Sequence, residues 1–274
     1  MSSRRDRVLT YSILVMFSVI ALTPLLLIVL EGMHPAGEAQ NGFSFPDSLS
    51  FDTYRDAWTT GRFGDYLRNS LIVAVAVVVG ATVLSVPAGY ALGAMETPYR
   101  DWIFYLFLLG LVIPYEAMIV PLYYTFRDLG LTETFWALIL PQVGLSLSFG
   151  VFWMRAFFLS SPRELIEAAR IDGARSLTVL LRVLMPLARP AITTMMVLLF
   201  LFTWNEFLLA LVMVNASEAT RTAPLGLSNF SGRYGTDIPS LAAGSVIVAL
   251  PVVLVYLFLQ RHFIRGMLSG AVKG

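Results

Sequence analysis

Residues Leu71 to Ala94 read LIVAVAVVVGATVLSVPAGYALGA, 24 residues without a charged side chain. A bilayer core is about 30 Å thick, so a helix needs roughly 20 consecutive apolar residues to cross it. A helix that is apolar on every face belongs in lipid or in the centre of a large protein. The rest of the chain decides between the two. Of its 274 residues 57% are hydrophobic and only 14% charged, with a mean hydropathy of +0.73. Soluble domains carry about 25% charged residues, so this chain takes lipid as its solvent.

Working outward, five further runs have the same character: Tyr11 to Leu30, Trp102 to Leu122, Phe135 to Met154, Ala191 to Asn215 and Leu241 to Leu259. The fold class expected is an all-α membrane protein, one transmembrane domain over residues 1–274 with six transmembrane helices. Arg4, Arg5 and Arg7 before the first run resemble the start of a secretory signal, but a run of 20 residues exceeds the roughly 7 to 15 of such a peptide. It is read as a helix that stays.

Orientation follows from the basic residues. With the N-terminus in the cytoplasm, 13 of the 19 Lys and Arg residues fall inside and six outside, which is the sense of the positive-inside rule. Both termini are then cytoplasmic. The segment Glu31 to Asp65 faces outward, and Phe51, Tyr54 and Trp58 after Ser50 predict a short interfacial helix. Prolines within or beside the runs, at Pro24, Pro87, Pro114, Pro121, Pro141 and Pro251, read as kinks that neighbouring helices can tolerate.

Several function classes drop out. There is no cysteine, hence no disulfide and no thiolate site. His34 lies outside and His262 inside, so they cannot share a metal, and no metal site is expected. No phosphate loop of the form Gly-x4-Gly-Lys-Ser/Thr occurs, and Lys273 is the only lysine, so ATP hydrolysis is not expected in this chain. A net charge of +1 gives no reason to expect a nucleic acid partner. No catalytic residue is assigned.

Two charges sit inside the runs, Glu116 and Glu206, and acids at membrane depth are functional candidates by default. Glu206 stands in Trp204-Asn205-Glu206-Phe207, a mixture of aromatic faces and polar groups suited to sugar rings and hydroxyls. A substrate path through Trp204, Asn205, Glu206 and Glu116 and a structural bond across helices are both open. Proton carriage by the two acids, as in an ion-coupled transporter, is a further alternative.

The polar loop from 155 to 190 carries the strongest pattern. Ser161-Pro162-Arg163-Glu164 predicts a helix start by a capping box with proline at the first position. Ala169 and Gly173 fall four apart on one face with almost no bulk, and Gly173 marks either the helix end or a close contact. Ser176 is then expected to cap a second helix through Leu177 to Leu184, stopped before Pro186.

Glu167-Ala168-Ala169, three residues, Gly173, nine residues, then Val183-Leu184-Met185-Pro186 resembles the EAA loop of binding-protein-dependent ABC importers. Val183 and Met185 depart from the family's usual Ile-x-Leu-Pro ending. The C-terminal Gln260 to Gly266 and Gly270-Ala271-Val272-Lys273-Gly274 are similar to the tail of maltose-type carbohydrate permeases. Trp204 to Phe207 and Asn69-Ser70-Leu71 look like the same family.

The resemblance implies an importer in a bacterial or archaeal cytoplasmic membrane. Its expected partners are a second homologous permease subunit, two ATPase subunits holding ATP and Mg, and an extracytoplasmic binding protein that delivers a carbohydrate. It also implies a coupling helix between spans 4 and 5, in which Glu167, Ala168, Ala169, Asp172, Gly173 and Pro186 serve the ATPases. The tail over 260–274, with Gly270, Ala271, Val272, Lys273 and Gly274 at its end, would reach them too. No cofactor is implied in this chain itself.

Overall fold

The computed structural model describes residues 4–35, 50–232 and 235–271, with side chains as far as Gln260. Helix α1 (Arg4–Glu31) and the short α2 (Asp52–Thr60) lead to α3 (Phe63–Gly93), α4 (Arg100–Val112), α5 (Tyr115–Asp128) and α6 (Phe135–Leu159). Then come α7 (Arg163–Ile171) and α8 (Ser176–Thr178), which passes through a π-helical stretch, Val179–Leu184, into α9 (Met185–Trp204). After α10 (Leu208–Met213) and α11 (Ala223–Gly226), a two-residue antiparallel ribbon, β1 (Ser231–Gly232) with β2 (Gly235–Thr236), precedes α12 (Ile238–Ala271).

Among the described residues, five helical stretches are long and apolar enough to cross a membrane: α1, α3, α6, the continuous Ser176–Trp204 and Ile238–Gln260. The expected third span, 102 to 122, is not one straight helix. It is the pair α4 and α5, bent by 92° at Ile113-Pro114, and counts as a sixth only when the two are taken together. Pro114 has extended ψ and stands outside both helices. Its missing N–H and its steric effect on Ile113 make this the point where the ladder stops. By contrast Pro24, Pro87, Pro121, Pro141 and Pro251 all lie inside uninterrupted helices.

The chain divides into two compact units, Met1–Tyr66 with Gly226–Pro251 and Leu67–Leu225 with Val252–Gly274. In the first, α1 has no buried residue at all, the exposure a lipid-facing helix shows. The Tyr54 hydroxyl donates to the Val29 carbonyl at 2.9 Å, and burial pushes its phenol above the ordinary range. The inward face of α2 is Thr53 and Ala57, while Phe51 and Trp58 stay exposed. Phe63 stacks on Phe230, with ring centroids 5.9 Å apart.

The second unit is built on close contact between α3 and α6. Gly89 and Gly93, four apart on α3, lie against the α6 backbone: a Cβ on Gly89 would stand 2.5 Å from Met154 Cβ, and one on Gly93 2.9 Å from the Arg155 carbonyl oxygen. Without a hydrophobic drive between helices in lipid, small residues gain association energy by bringing backbones together. Arg155 then fastens three helices. Its Nε donates to the Leu92 carbonyl at 3.2 Å, its Nη2 lies 2.7 Å from the Asp101 carboxylate, and its guanidinium sits 4.0 Å from the Phe104 ring centre.

The loop helix forms as expected over Arg163–Ile171, but the predicted capping box does not. Pro162 occupies the N-cap position with no side-chain bond, and Ser161 Oγ instead donates back to the Phe157 carbonyl at 3.2 Å. Ser176 likewise does not cap, and the second helix does not stop before Pro186. A π turn widens the ladder at Val179–Leu184, so the missing N–H of Pro186 falls in the first turn of α9 and costs no bond. The tail expected from 260 onward continues as helix to Ala271.

Candidate functional site

The expected fifth span, 191 to 215, breaks where its polar residues stand. Helix α9 ends at Trp204, and α10 begins only at Leu208. The Asn205 side-chain amide donates back to the Leu201 carbonyl at 2.8 Å, closing the end of α9. A carboxylate oxygen of Glu206 accepts the Leu209 N–H at 2.7 Å, which satisfies one of the orphan donors at the start of α10. Irregular backbone is tolerated at membrane depth only where protein or a wet cavity takes up its polar groups. Here Asn205 and Glu206 do so.

The two breaks meet. The Tyr115 hydroxyl, in the first turn of α5, donates to Glu206 at 3.0 Å. Both breaks line one cavity of about 770 Å³, whose walls run from Gly110 to Glu116, add Gln142, Leu145, Ser146 and Phe149 of α6, and close with residues of α9 and the break after it. Gln142, Ser146 and Thr203 line it although each is less than a tenth exposed. Their side chains make no hydrogen bond to another described residue. They line the cavity beside each other and are not among the fully buried atoms left without a partner, so an amide and two hydroxyls are offered together to a polar ligand. Phe149 and Phe202, which meet edge to face at 5.8 Å, supply aromatic surface beside them.

Of the residues picked out in the sequence, Glu116, Asn205 and Glu206 reach this cavity. Trp204 does not line it: it is buried and packs on Phe200 at 5.3 Å. Tyr115, Gln142, Ser146 and Thr203 escaped sequence reading. Gly110 and Pro114 in one apolar run were the available signal for the first break.

The loop residues fall elsewhere. Ala169 is buried with Ile166 among Tyr90, Met154, Phe158 and Leu184, so its surface is taken by this chain and is not open to another. Glu167, Ala168, Asp172 and Gly173 are exposed. Gly173 ends α7 with φ of +81°, and nothing lies within 4 Å of where a Cβ would stand. Its role as helix end is thereby visible, since only glycine takes that conformation without strain. Pro186 is exposed in the first turn of α9. Glu167 borders a second, smaller cleft of about 330 Å³ with Glu96, Arg100, Arg163 and Arg170. In the tail, the backbone is helical through Gly270 and Ala271, while Val272, Lys273 and Gly274 lie outside the described residues. No group of three metal-ligating side chains occurs among the described residues.

The model of the binding-protein-dependent transport system inner membrane component family matches residues 85–269. The chain belongs to that family. It is 34% identical to the diacetylchitobiose uptake system permease protein NgcG of Streptomyces coelicolor, over 99% of this chain and 91% of that one. It is also 34% identical to the trehalose transport system permease protein SugB of Mycobacterium tuberculosis, over 93% of each. A bacterial ABC transporter involved in the import of the acidic polysaccharide alginate has a chain of the same fold, with a TM-score of 0.76 at 24% identity over 96% of this chain and 99% of that one. As an ABC permease subunit this family member is a multi-pass membrane component and not an enzyme.

Proposed function

We propose that this permease forms half of a translocation path for a neutral or weakly charged carbohydrate, and that separate ATPase subunits drive it through α7. The observation that carries the carbohydrate reading is the cavity at the two broken helices. Sugar rings present apolar C–H faces that rest on aromatic rings, here Phe149 and Phe202, and hydroxyls that pair with amides, hydroxyls and carboxylates, here Gln142, Ser146, Thr203, Asn205 and Glu206. Diacetylchitobiose and trehalose, named for two of its relatives, agree with this chemistry.

In this reading the membrane is crossed six times, with α4 and α5 as one broken crossing and both termini in the cytoplasm. A second permease subunit completes the path, and an extracytoplasmic binding protein delivers the cargo. ATP and Mg reside on the two ATPase subunits. Glu167, Ala168, Asp172 and Gly173, exposed on and after α7, supply the docking surface; Ala169 and Pro186 shape the segment that carries it, and the residues from Gly270 to Gly274 extend the contact.

The test is purification of the chain with its partners from mild detergent, then reconstitution with labelled sugars. Co-purifying ATPases and uptake that needs ATP are expected. Uptake that persists without ATP and collapses with an ion gradient sinks the proposal in favour of ion coupling through Glu116 and Glu206.

A further inference from the structure

The cavity at the two breaks is lopsided in charge. Among the described residues, two carboxylates, Glu116 and Glu206, line it, and no lysine, arginine or histidine does. The groups bonded to Glu206 are the Tyr115 hydroxyl and the Leu209 N–H, both neutral, so they orient its charge without cancelling it. Glu116 is exposed in the first turn of α5, where the helix dipole favours an anion but does not neutralise it. The remaining polar groups of the lining, Gln142, Ser146, Thr203 and Asn205, carry no charge, and the rest of its wall, Val112 and Phe202 included, is apolar. Clefts lined by one sign of charge between low-dielectric walls focus their field on what enters.

Resting on the carbohydrate reading above, we infer that this cavity is a charge filter, which admits neutral and amino sugars and turns away sugars bearing carboxylate or sulfate groups. Rings of acidic side chains select against anions in pores by the same physics. The two acids divide the work. Glu206 is held in the break and fixes its geometry, whereas Glu116 makes no bond within the described residues and supplies the more accessible charge. Glu116→Gln therefore removes field while leaving the tie between the breaks in place.

The absence of cysteine makes the test direct. Val112→Cys and, separately, Phe202→Cys put one thiol on the exposed cavity wall. In the assembled importer in proteoliposomes, the thiol is modified by a cationic trimethylammonium and by an anionic sulfonate methanethiosulfonate of similar size. The mass shift of this chain is followed and the rate ratio normalised to free mercaptoethanol. The cationic reagent is expected to win by about tenfold. Glu116→Gln is expected to bring the ratio to about threefold, and adding Glu206→Gln to bring it close to one. A ratio near one in the parent, a ratio that Glu116→Gln leaves unmoved, or failure of both reagents at both positions overturns the filter. Uptake of a neutral disaccharide, measured separately, judges the carbohydrate reading, so the two can fail independently.

Discussion

The Tyr115 hydroxyl donates to the Glu206 carboxylate at 3.0 Å, and this one bond ties the break between α4 and α5 to the break between α9 and α10. A hydrogen bond to a charged group is worth about 1.5 to 3 kcal/mol when buried, and this one is partly buried. Tyr115→Phe is expected to cost about 1 kcal/mol. Glu206→Ala costs more, because it leaves both the Tyr115 hydroxyl and the Leu209 N–H without their acceptor. Glu206→Gln falls between them. Melting of the detergent-solubilised complex gives the order, and a Tyr115→Phe variant less stable than Glu206→Ala refutes the view of Glu206 as the hub of both breaks.

Gly89 and Gly93 give a second, steric prediction. Gly89→Val and Gly93→Val force α3 away from Met154, Arg155 and Phe158, and because the obstacle includes backbone no rotamer change relieves it. Overpacking of this kind costs about 1 to 3 kcal/mol or more. Gly144, in the neighbouring helix α6, has nothing within 4 Å of a built Cβ, so Gly144→Ala is expected to be neutral. Expression level and monodispersity in detergent compare the three; equal yields of all of them contradict the packing argument.

Arg155 offers a third. The Leu92 carbonyl is one of the last four of α3 and has no partner within the helix, so the Arg155 Nε satisfies it. Arg155→Lys keeps the charge yet loses the planar fork that reaches the Leu92 carbonyl, the Asp101 carboxylate and the Phe104 ring together. We expect Arg155→Lys to restore little of the stability that Arg155→Ala loses, about 2 kcal/mol. Asp101→Asn is expected to be milder, since Asp101 is more than half exposed. Thermal melts that place Lys level with the parent reject the three-way tie.

These residues also show why the sequence was legible in parts. Hydropathy found α1, α3, α6 and the apolar stretch of α12, because lipid demands about 20 apolar residues whatever the neighbours do. It passed over the breaks at Pro114 and after Trp204, since a window average does not register a lost hydrogen bond. Glu116 and Glu206 stood out as charges in apolar runs, but Tyr115 and Gln142 are unremarkable there, and only the meeting of α5, α6 and the end of α9 gives them a common cavity. The capping box at Ser161 misled because Pro162, favourable at the first helical position, itself took the N-cap position and left the serine to bond backward to Phe157. Ala169 looked open for a partner on helical spacing alone. Packing of α7 on the chain's own core used that face first.

Gly173 allows the helix-end and docking roles of the loop to be separated. Its φ of +81° strains any side chain, by roughly 1 to 2 kcal/mol for alanine and less for asparagine, which tolerates the left-handed region. The space around it is open within this chain, so bulk alone does not disturb the fold. If its service is only to end α7, Gly173→Asn works and Gly173→Ala is the poorer protein. If the exposed surface also receives an ATPase subunit, Gly173→Asn, Gly173→Ala and Gly173→Trp lose ATP-coupled uptake in order of side-chain size rather than of backbone strain, with Ala the mildest, while the chain stays in the membrane. Glu167→Ala, exposed, is expected to leave the melting point unchanged and to lower uptake severalfold. We expect the size order, and sugar-stimulated ATP hydrolysis in proteoliposomes reads it. A strain order there, with Glu167→Ala at parental activity, assigns the loop to folding alone.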